Sequence, residues 1–383
     1  MGIIKKIAIG LLLVSTAHAQ VTLVVPQKVG GGTEYIDDGK KWIYFKEPST
    51  GWGDPGIGKT TLANIIATEL EKYLEDEQEV VLKHIPSARD IGGFNEWHNN
   101  YKDNPNVIMV SHGGNGVSFL TEEVDYDYSQ YDSIGLMNLN IIVAKRKDFE
   151  RPVRFAAGSG MTPEAYAITM LECGNSDSIE YYIGCFESEV IWVAGMSGGE
   201  RRLAFRRGEL NATRENPAAY KKHVEGDENA EIWFHHGILV DDTHYDDPNY
   251  LGYQFEELFK EKWGEYPRGD FYNAYKLVKS FRDGMQKALW VHKDNPRKEE
   301  YIKALYQVAT NEESTKIIKE KVGDYFWLIG KEGDLHRDNL MNFITTPAMN
   351  TLIRFNREAL GLDSVLKPIV VPAFIPEASG VRG

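Results

Sequence analysis

Val153-Arg154-Phe155-Ala156-Ala157-Gly158-Ser159-Gly160-Met161-Thr162-Pro163 is the stretch that decides how this chain folds. Val153 to Ala157 reads as a buried strand, and the two glycines break it. Pro163 then suits the first turn of a helix, where its missing N–H is not needed. A strand that passes through a glycine-rich turn into a helix is the repeating unit of an α/β layer. Two further stretches repeat it. Pro26-Gln27-Lys28-Val29-Gly30-Gly31-Gly32-Thr33-Glu34 follows the apolar run Val21 to Val25. Gly195-Met196-Ser197-Gly198-Gly199-Glu200 follows Val190 to Val193 and leads into Leu203-Ala204-Phe205. Each turn offers backbone N–H groups at a helix N-terminus, where carboxylates and phosphates are held without a basic side chain. One such turn is an ordinary cap; three in one chain point to a ligand cleft.

Working outward, Val80 to Leu82, Val107 to Val110 and Glu231 to Phe234 read as further strands. The second of them runs into Ser111-His112-Gly113-Gly114-Asn115-Gly116, expected as a flexible loop at a strand's carboxyl end, where open α/β sheets bind ligands. Leu62, Ile65, Ile66, Leu70 and Tyr73 recur at helical spacing and predict an amphipathic helix over 59–75. Trp42 to Phe45 looks like part of a hairpin in an inserted loop. From Leu251 onward the pattern is mostly helical, with Phe255, Leu258, Phe259 and Trp263 on one face.

The first nineteen residues read as a cleaved leader. Lys5 and Lys6 precede the apolar run Ile7 to Val14, and Ala17-His18-Ala19 supplies the small-x-small cleavage signature before Gln20. The run is too short to span a bilayer. The expectation is a soluble, periplasmic protein. That location weakens the loudest motif, Gly53-Asp54-Pro55-Gly56-Ile57-Gly58-Lys59-Thr60, a full match to the phosphate-binding P-loop pattern. A working P-loop is fed by an apolar strand, whereas Glu47-Pro48-Ser49-Thr50-Gly51-Trp52 reads as turn. What survives is a helix N-terminus near Lys59 and Thr60 that attracts anions.

A length of 383 residues allows two or three domains, and 42% hydrophobic against 26% charged residues marks a globular chain. The net charge of −14 argues against nucleic acid or an anionic membrane as partner. It does not bar a small anion held by local dipoles. The two cysteines, Cys173 and Cys185, suit one disulfide in an oxidising compartment. An exported metal-dependent hydrolase is a rival reading, with His235, His236, Asp241, Asp242, His244, Asp246 and Asp247 as donors. Zincin-type helical spacing is missing, so a polar surface loop is the plainer account.

At these residues the chain resembles the solute-binding proteins of tripartite tricarboxylate transporters. Val24-Val25-Pro26 followed by Gly31-Gly32-Thr33-Glu34 is similar to the family's opening Val-Pro and Gly-Gly-x-Thr-Asp segment. Val80 to Pro86 followed by Gly92-Gly93 resembles its second strand and turn. Gly195-x-x-Gly198, Leu203-Ala204 and Arg207-Gly208-Glu209 resemble its Gly-Tyr-x-Gly…Leu-Ala…Arg-Gly-Glu run, and His244 to Pro248 its Asp-x-Pro segment. The likeness covers roughly residues 21 to 345. Residues 35–55 depart as an insertion, Ser87 to Ile91 replaces a small-residue turn, Met196 stands for a tyrosine and Asn211 for an aspartate.

The resemblance implies an α/β, two-lobed periplasmic-binding-protein architecture, type II-like, with two interlobe crossings. Lobe one would comprise 20–143 with 290–350, lobe two 144–289, and 351–383 a C-terminal extension. It implies a monomeric, non-enzymatic receptor without cofactor or metal. Such a receptor captures a small organic acid for the small and large membrane subunits of a tripartite transporter. One carboxylate would sit on Gly31, Gly32, Thr33 and the helix at Thr60, with Gly113 and Gly114 nearby. Ser159 and Thr162 would contact ligand from the opposite lobe, Ser197 and Gly198 beside them, and Arg89 would add a charge-assisted contact.

Overall fold

The computed structural model describes residues 20–25, 35–37, 41–43, 62–75, 78–85, 91–157, 161–240, 243–245, 247, 252–321 and 325–366. The leader, the P-loop match, the turn around Gly31 to Thr33, Arg89, Ser159 and residues 367–383 lie outside them. A larger sheet anchors the first body. Its strands are β1 (Val21–Val25), β4 (Val80–His84), β5 (Val107–His112), β6 (Tyr131–Asn138), β14 (Lys287–His292) and β15 (Phe326–Ile329). They lie in the order β15-β6-β14-β5-β1-β4. The β1, β4 and β5 strands run parallel, so their carboxyl ends share one edge, while β14 runs antiparallel to both β5 and β6. The helices α1 (Leu62–Glu71), α2 (Ile91–Asn100) and α3 (Gly113–Thr121) belong to this body. Leu62, Ile66 and Leu70 of α1 join Val21, Leu23, Ile108 and Val110 in one buried cluster. The 3.6-residue spacing that predicted the helix is therefore the spacing that fills the core.

The second body holds β7 (Ile142–Arg146) between β10 (Ala212–Glu215) and β11 (Ala230–His235), all antiparallel. Beside it β8 (Val153–Ala157) and β9 (Val190–Ala194) pair in parallel. Its helices are α4 (Pro163–Cys173), α5 (Ile179–Glu189), α6 (Gly198–Arg206), α7 (Pro217–His223), α8 (Phe255–Trp263) and α9 (Gly269–Lys279). Two short hairpins complete the strands: β2 (Tyr35–Asp37) with β3 (Lys41–Ile43), and β12 (Ile238–Val240) with β13 (Thr243–Tyr245). Only Leu139 to Ile141 separates β6 in one sheet from β7 in the other. The chain returns through α9, a π-helical turn over Ser280–Gly284, and β14.

After β14 come α10 (Lys298–Thr310), α11 (Glu312–Lys321), β15, α12 (Lys331–Asn342) and α13 (Thr346–Glu358). The expectation of a mostly helical C-terminal third therefore misses β14 and β15. Lys287-Ala288-Leu289-Trp290 is a short apolar run that periodicity cannot assign, and it forms a central strand. Helix α13 leaves the first body and packs on α5 and α9. Among the described residues no helix is long and apolar enough to cross a membrane. Cys173 and Cys185 are joined in a disulfide between α4 and α5.

Candidate functional site

Three helix N-termini named by the sequence fall within the described residues, and they are built differently. The expected flexible loop at 111–116 is helix from Gly113 onward. His112 is its N-cap: its Nδ1 accepts from Gly114 N at 2.9 Å, and Asn115 Oδ1 accepts from His112 N at 3.1 Å. Gly113 N donates to Gln286 O at 3.2 Å. A Cβ on Gly113 would collide with the Arg282 carbonyl, so glycine is required for α3 to lean on the π-helical turn. The N–H groups of Gly113 and Gly114 are thus engaged within the protein.

The other two turns leave one sheet edge side by side. Ala157 and Ala194 are register partners at the ends of β8 and β9, and Gly195 N donates to Ala157 O at 2.8 Å. The turn after β9 is self-contained. Ser197 Oγ accepts from Glu200 N at 3.3 Å, and Glu200 Oε2 accepts from Ser197 N at 2.8 Å, a reciprocal cap at the start of α6. Gly198 is the first residue of that helix. The turn after β8 differs. Thr162 occupies the N-cap of α4 with extended backbone, yet its hydroxyl makes no capping bond. It is fully buried and, among the described residues, Oγ1 has no hydrogen-bond partner. Ser178, Ser197, Asn216 and Thr345, the polar N-caps of α5, α6, α7 and α13, all accept from a backbone N–H.

Below Thr162 lies a group of buried charges that sequence reading missed. Glu164, in the first turn of α4, is wholly buried, with Arg214 Nε at 3.0 Å and His236 Nε2 at 3.6 Å. His236 Nδ1 lies 2.7 Å from Tyr275 Oη, and Lys279 Nζ donates to the His236 carbonyl. Arg282, on the π-helical turn, donates through Nη1 to Met161 O at 2.8 Å, so it holds the peptide just before Thr162. Burial opposes ionisation of Glu164, but Arg214, His236 and Arg282 outweigh it and hold the carboxyl well below the usual range. Asp283 goes the other way: burial raises it against the pull of His236. Burial, with Arg214 nearby, lowers the Arg282 guanidinium to about 10. The α6 side of the cluster is a second pair, with Arg202 forked onto Glu215 at 3.1 and 2.8 Å.

His235 and His236 diverge, which bears on the metal reading. His235 Nδ1 lies 3.4 Å from Asn140 Nδ2, which also donates to Asp247 Oδ2 at 3.3 Å, while His236 faces Glu164 and Tyr275. Among the described residues no trio of His, Cys, Asp or Glu side chains comes together to hold a metal ion.

The fold is that of the TctC-type solute-binding proteins, a two-lobed α/β architecture. A TctC solute-binding protein from Polaromonas, solved with no ligand, superposes with a TM-score of 0.52 at 11% identity, covering 86% of this chain and 97% of its own. An R. palustris protein solved with adipate gives a TM-score of 0.52 at 11% identity, covering 89% of this chain and 97% of its own. No protein-family model matches the chain, and no curated protein matches it in sequence.

Proposed function

We propose that this protein is an extracytoplasmic receptor that captures a small organic acid between its lobes and delivers it to the membrane subunits of a tripartite tricarboxylate-type transporter. The observation that carries the reading is the Thr162 hydroxyl. It is buried at a helix N-terminus and, among the described residues, has no hydrogen-bond partner, whereas the Ser, Thr and Asn caps of α5, α6, α7 and α13 all accept from a backbone N–H. A buried polar atom without a partner costs about 1–3 kcal/mol. A carboxylate oxygen there would remove that cost and meet the positive end of α4. The likeness in fold to an R. palustris protein solved with adipate supports the ligand class. The leader pattern and the Cys173–Cys185 disulfide support an oxidising, extracytoplasmic location.

In this reading Ser159 shares the α4 turn with Thr162. Gly31, Gly32, Thr33, Thr60 and Arg89 serve from the facing lobe, with Ser197 and Gly198 at the margin, whereas Gly113 and Gly114, whose N–H groups are engaged within the protein, leave the set. Lobe one is 20–143 with 290–350, lobe two 144–289, and 351–383 an extension. The change of sheet between Asn138 and Ile142 supports a first crossing close to the proposed bound. Lobe closure around the ligand is a hinge motion.

Titration calorimetry with a panel of short carboxylic acids tests the proposal. Thr162→Val should weaken the best acid roughly 10- to 150-fold, the value of a hydrogen bond to a charged group. The same change should leave the empty protein as stable or more stable, since it removes a buried hydroxyl without a partner. Failure of every acid to bind, or equal affinity in wild type and Thr162→Val, overturns the site.

A further inference from the structure

The π-helical turn over Ser280–Gly284 is held from both bodies. It joins α9 of the second body to β14 of the first, so its backbone lies on the path by which the chain returns. From the first body, α3 rests on it backbone to backbone. A Cβ on Gly113 would collide with the Arg282 carbonyl, and one on Gly116 with the Phe281 carbonyl. Three residues apart, the two glycines share one face of the helix. Further along α3, the Phe119 ring stacks on Phe281 with centroids 6.3 Å apart. Gly284 makes a similar approach to α12, where a Cβ would come within 2.8 Å of His336 Nε2.

The second body meets the same turn through the arm of Arg282. Its Nη1 donates at 2.8 Å to Met161 O, 121 residues earlier in the chain. That carbonyl belongs to the peptide whose nitrogen is Thr162's own, so the guanidinium fixes the residue that caps α4. Single π-helical turns are rare and recur at functional sites. Here one such turn sets the place of α3 through its carbonyls and the place of the α4 N-terminus through a side chain.

From this arrangement we infer that Arg282 is a positioning residue for ligand capture, tying the α4 N-terminus to the turn on which α3 rests. The inference rests on the reading of Thr162 as a ligand contact. Arg282 itself touches no ligand in it. Displacing the turn from α3, or releasing Met161 O from Arg282, moves Thr162 relative to α3 and so misplaces one contact against the other wall of the cleft.

The test is calorimetry on the full chain with adipate or, if another acid of the panel binds wild type more tightly, with that acid. Arg282→Met should weaken binding at least tenfold, and Arg282→Lys, which keeps a charged donor, should recover at least threefold of the loss. Gly116→Ala changes no charge and pushes α3 off the Phe281 carbonyl; it should weaken binding at least threefold. Because both changes act through one turn, the double variant should lose less than the product of the two single losses. A folded Arg282→Met or Gly116→Ala that binds within twofold of wild type, an Arg282→Lys no better than Arg282→Met, or losses that multiply in the double variant overturn this inference alone. Failure of the whole acid panel to bind wild type overturns the organic-acid reading beneath it.

Discussion

Helices α4 and α6 start from the same edge of the same strand pair, after turns of similar composition, and they resolve their N-termini in opposite ways. At α6 the cap is local and exposed: Ser197 and Glu200 satisfy one another, and the N-terminus itself needs no group from another segment. At α4 the cap is buried and incomplete. Thr162 has no hydrogen-bond partner among the described residues, Glu164 places a carboxylate in the first turn, and its cations come from β10 and the π-helical turn far along the chain. A self-sufficient terminus is an ordinary structural end. One that depends on remote charges, with a hydroxyl unpaired among the described residues, is the terminus on which the proposed ligand contact rests.

The sharpest way to break this contrast is at Arg214. Arg214→Met leaves Glu164 buried without its nearest cation and should cost about 3–5 kcal/mol in urea unfolding. Adding Glu164→Leu should recover most of that, since an apolar pair often replaces a buried ion pair at little cost. The same pair shapes the pH response. The stabilisation from Glu164 is complete above its ordinary value of 4.5 and is lost as pH falls through its depressed folded value. Asp283 has the opposite sign: raised by burial, it loses stability as pH climbs from its ordinary 3.8 through the raised value. Glu164→Gln should remove the first slope and Asp283→Asn the second, read from denaturation midpoints across pH.

Next in size is the staple at the far end of α4. Replacing Cys173 and Cys185 by alanine opens a loop of sequence separation 12 and should cost about 2–3 kcal/mol, seen as a lower melting temperature. The smallest effect belongs to α6. Ser197→Ala should lose about 1 kcal/mol of stability, with less than a twofold change in acid affinity. A large loss of affinity there would erase the distinction between the two helices.

Much of the architecture was legible because it is written in local pattern. Val21 to Val25, Val153 to Ala157 and the helix after Pro163 fall where apolar runs, glycines and proline place them. The start of α3 was not, because its N-cap is a histidine rather than the Ser, Thr, Asp or Asn that marks such ends. The buried charges were least legible of all. Charged side chains are usually exposed, and Glu164, Arg214, His236 and Arg282 come from four segments with nothing local to mark them as partners.

The position of β14 has a consequence for how this chain is made. It lies between β5 and β6, although residues 287–292 are synthesised long after both. Until then those two strands have no neighbour on the sides that will face each other, and the larger sheet cannot close. At roughly 5–20 residues per second, the interval is many seconds. During it the larger sheet stays unfinished. A fragment ending before Lys287 would lack β14 and β15, leaving one edge of β5 and both edges of β6 open, and be prone to stick to its own kind.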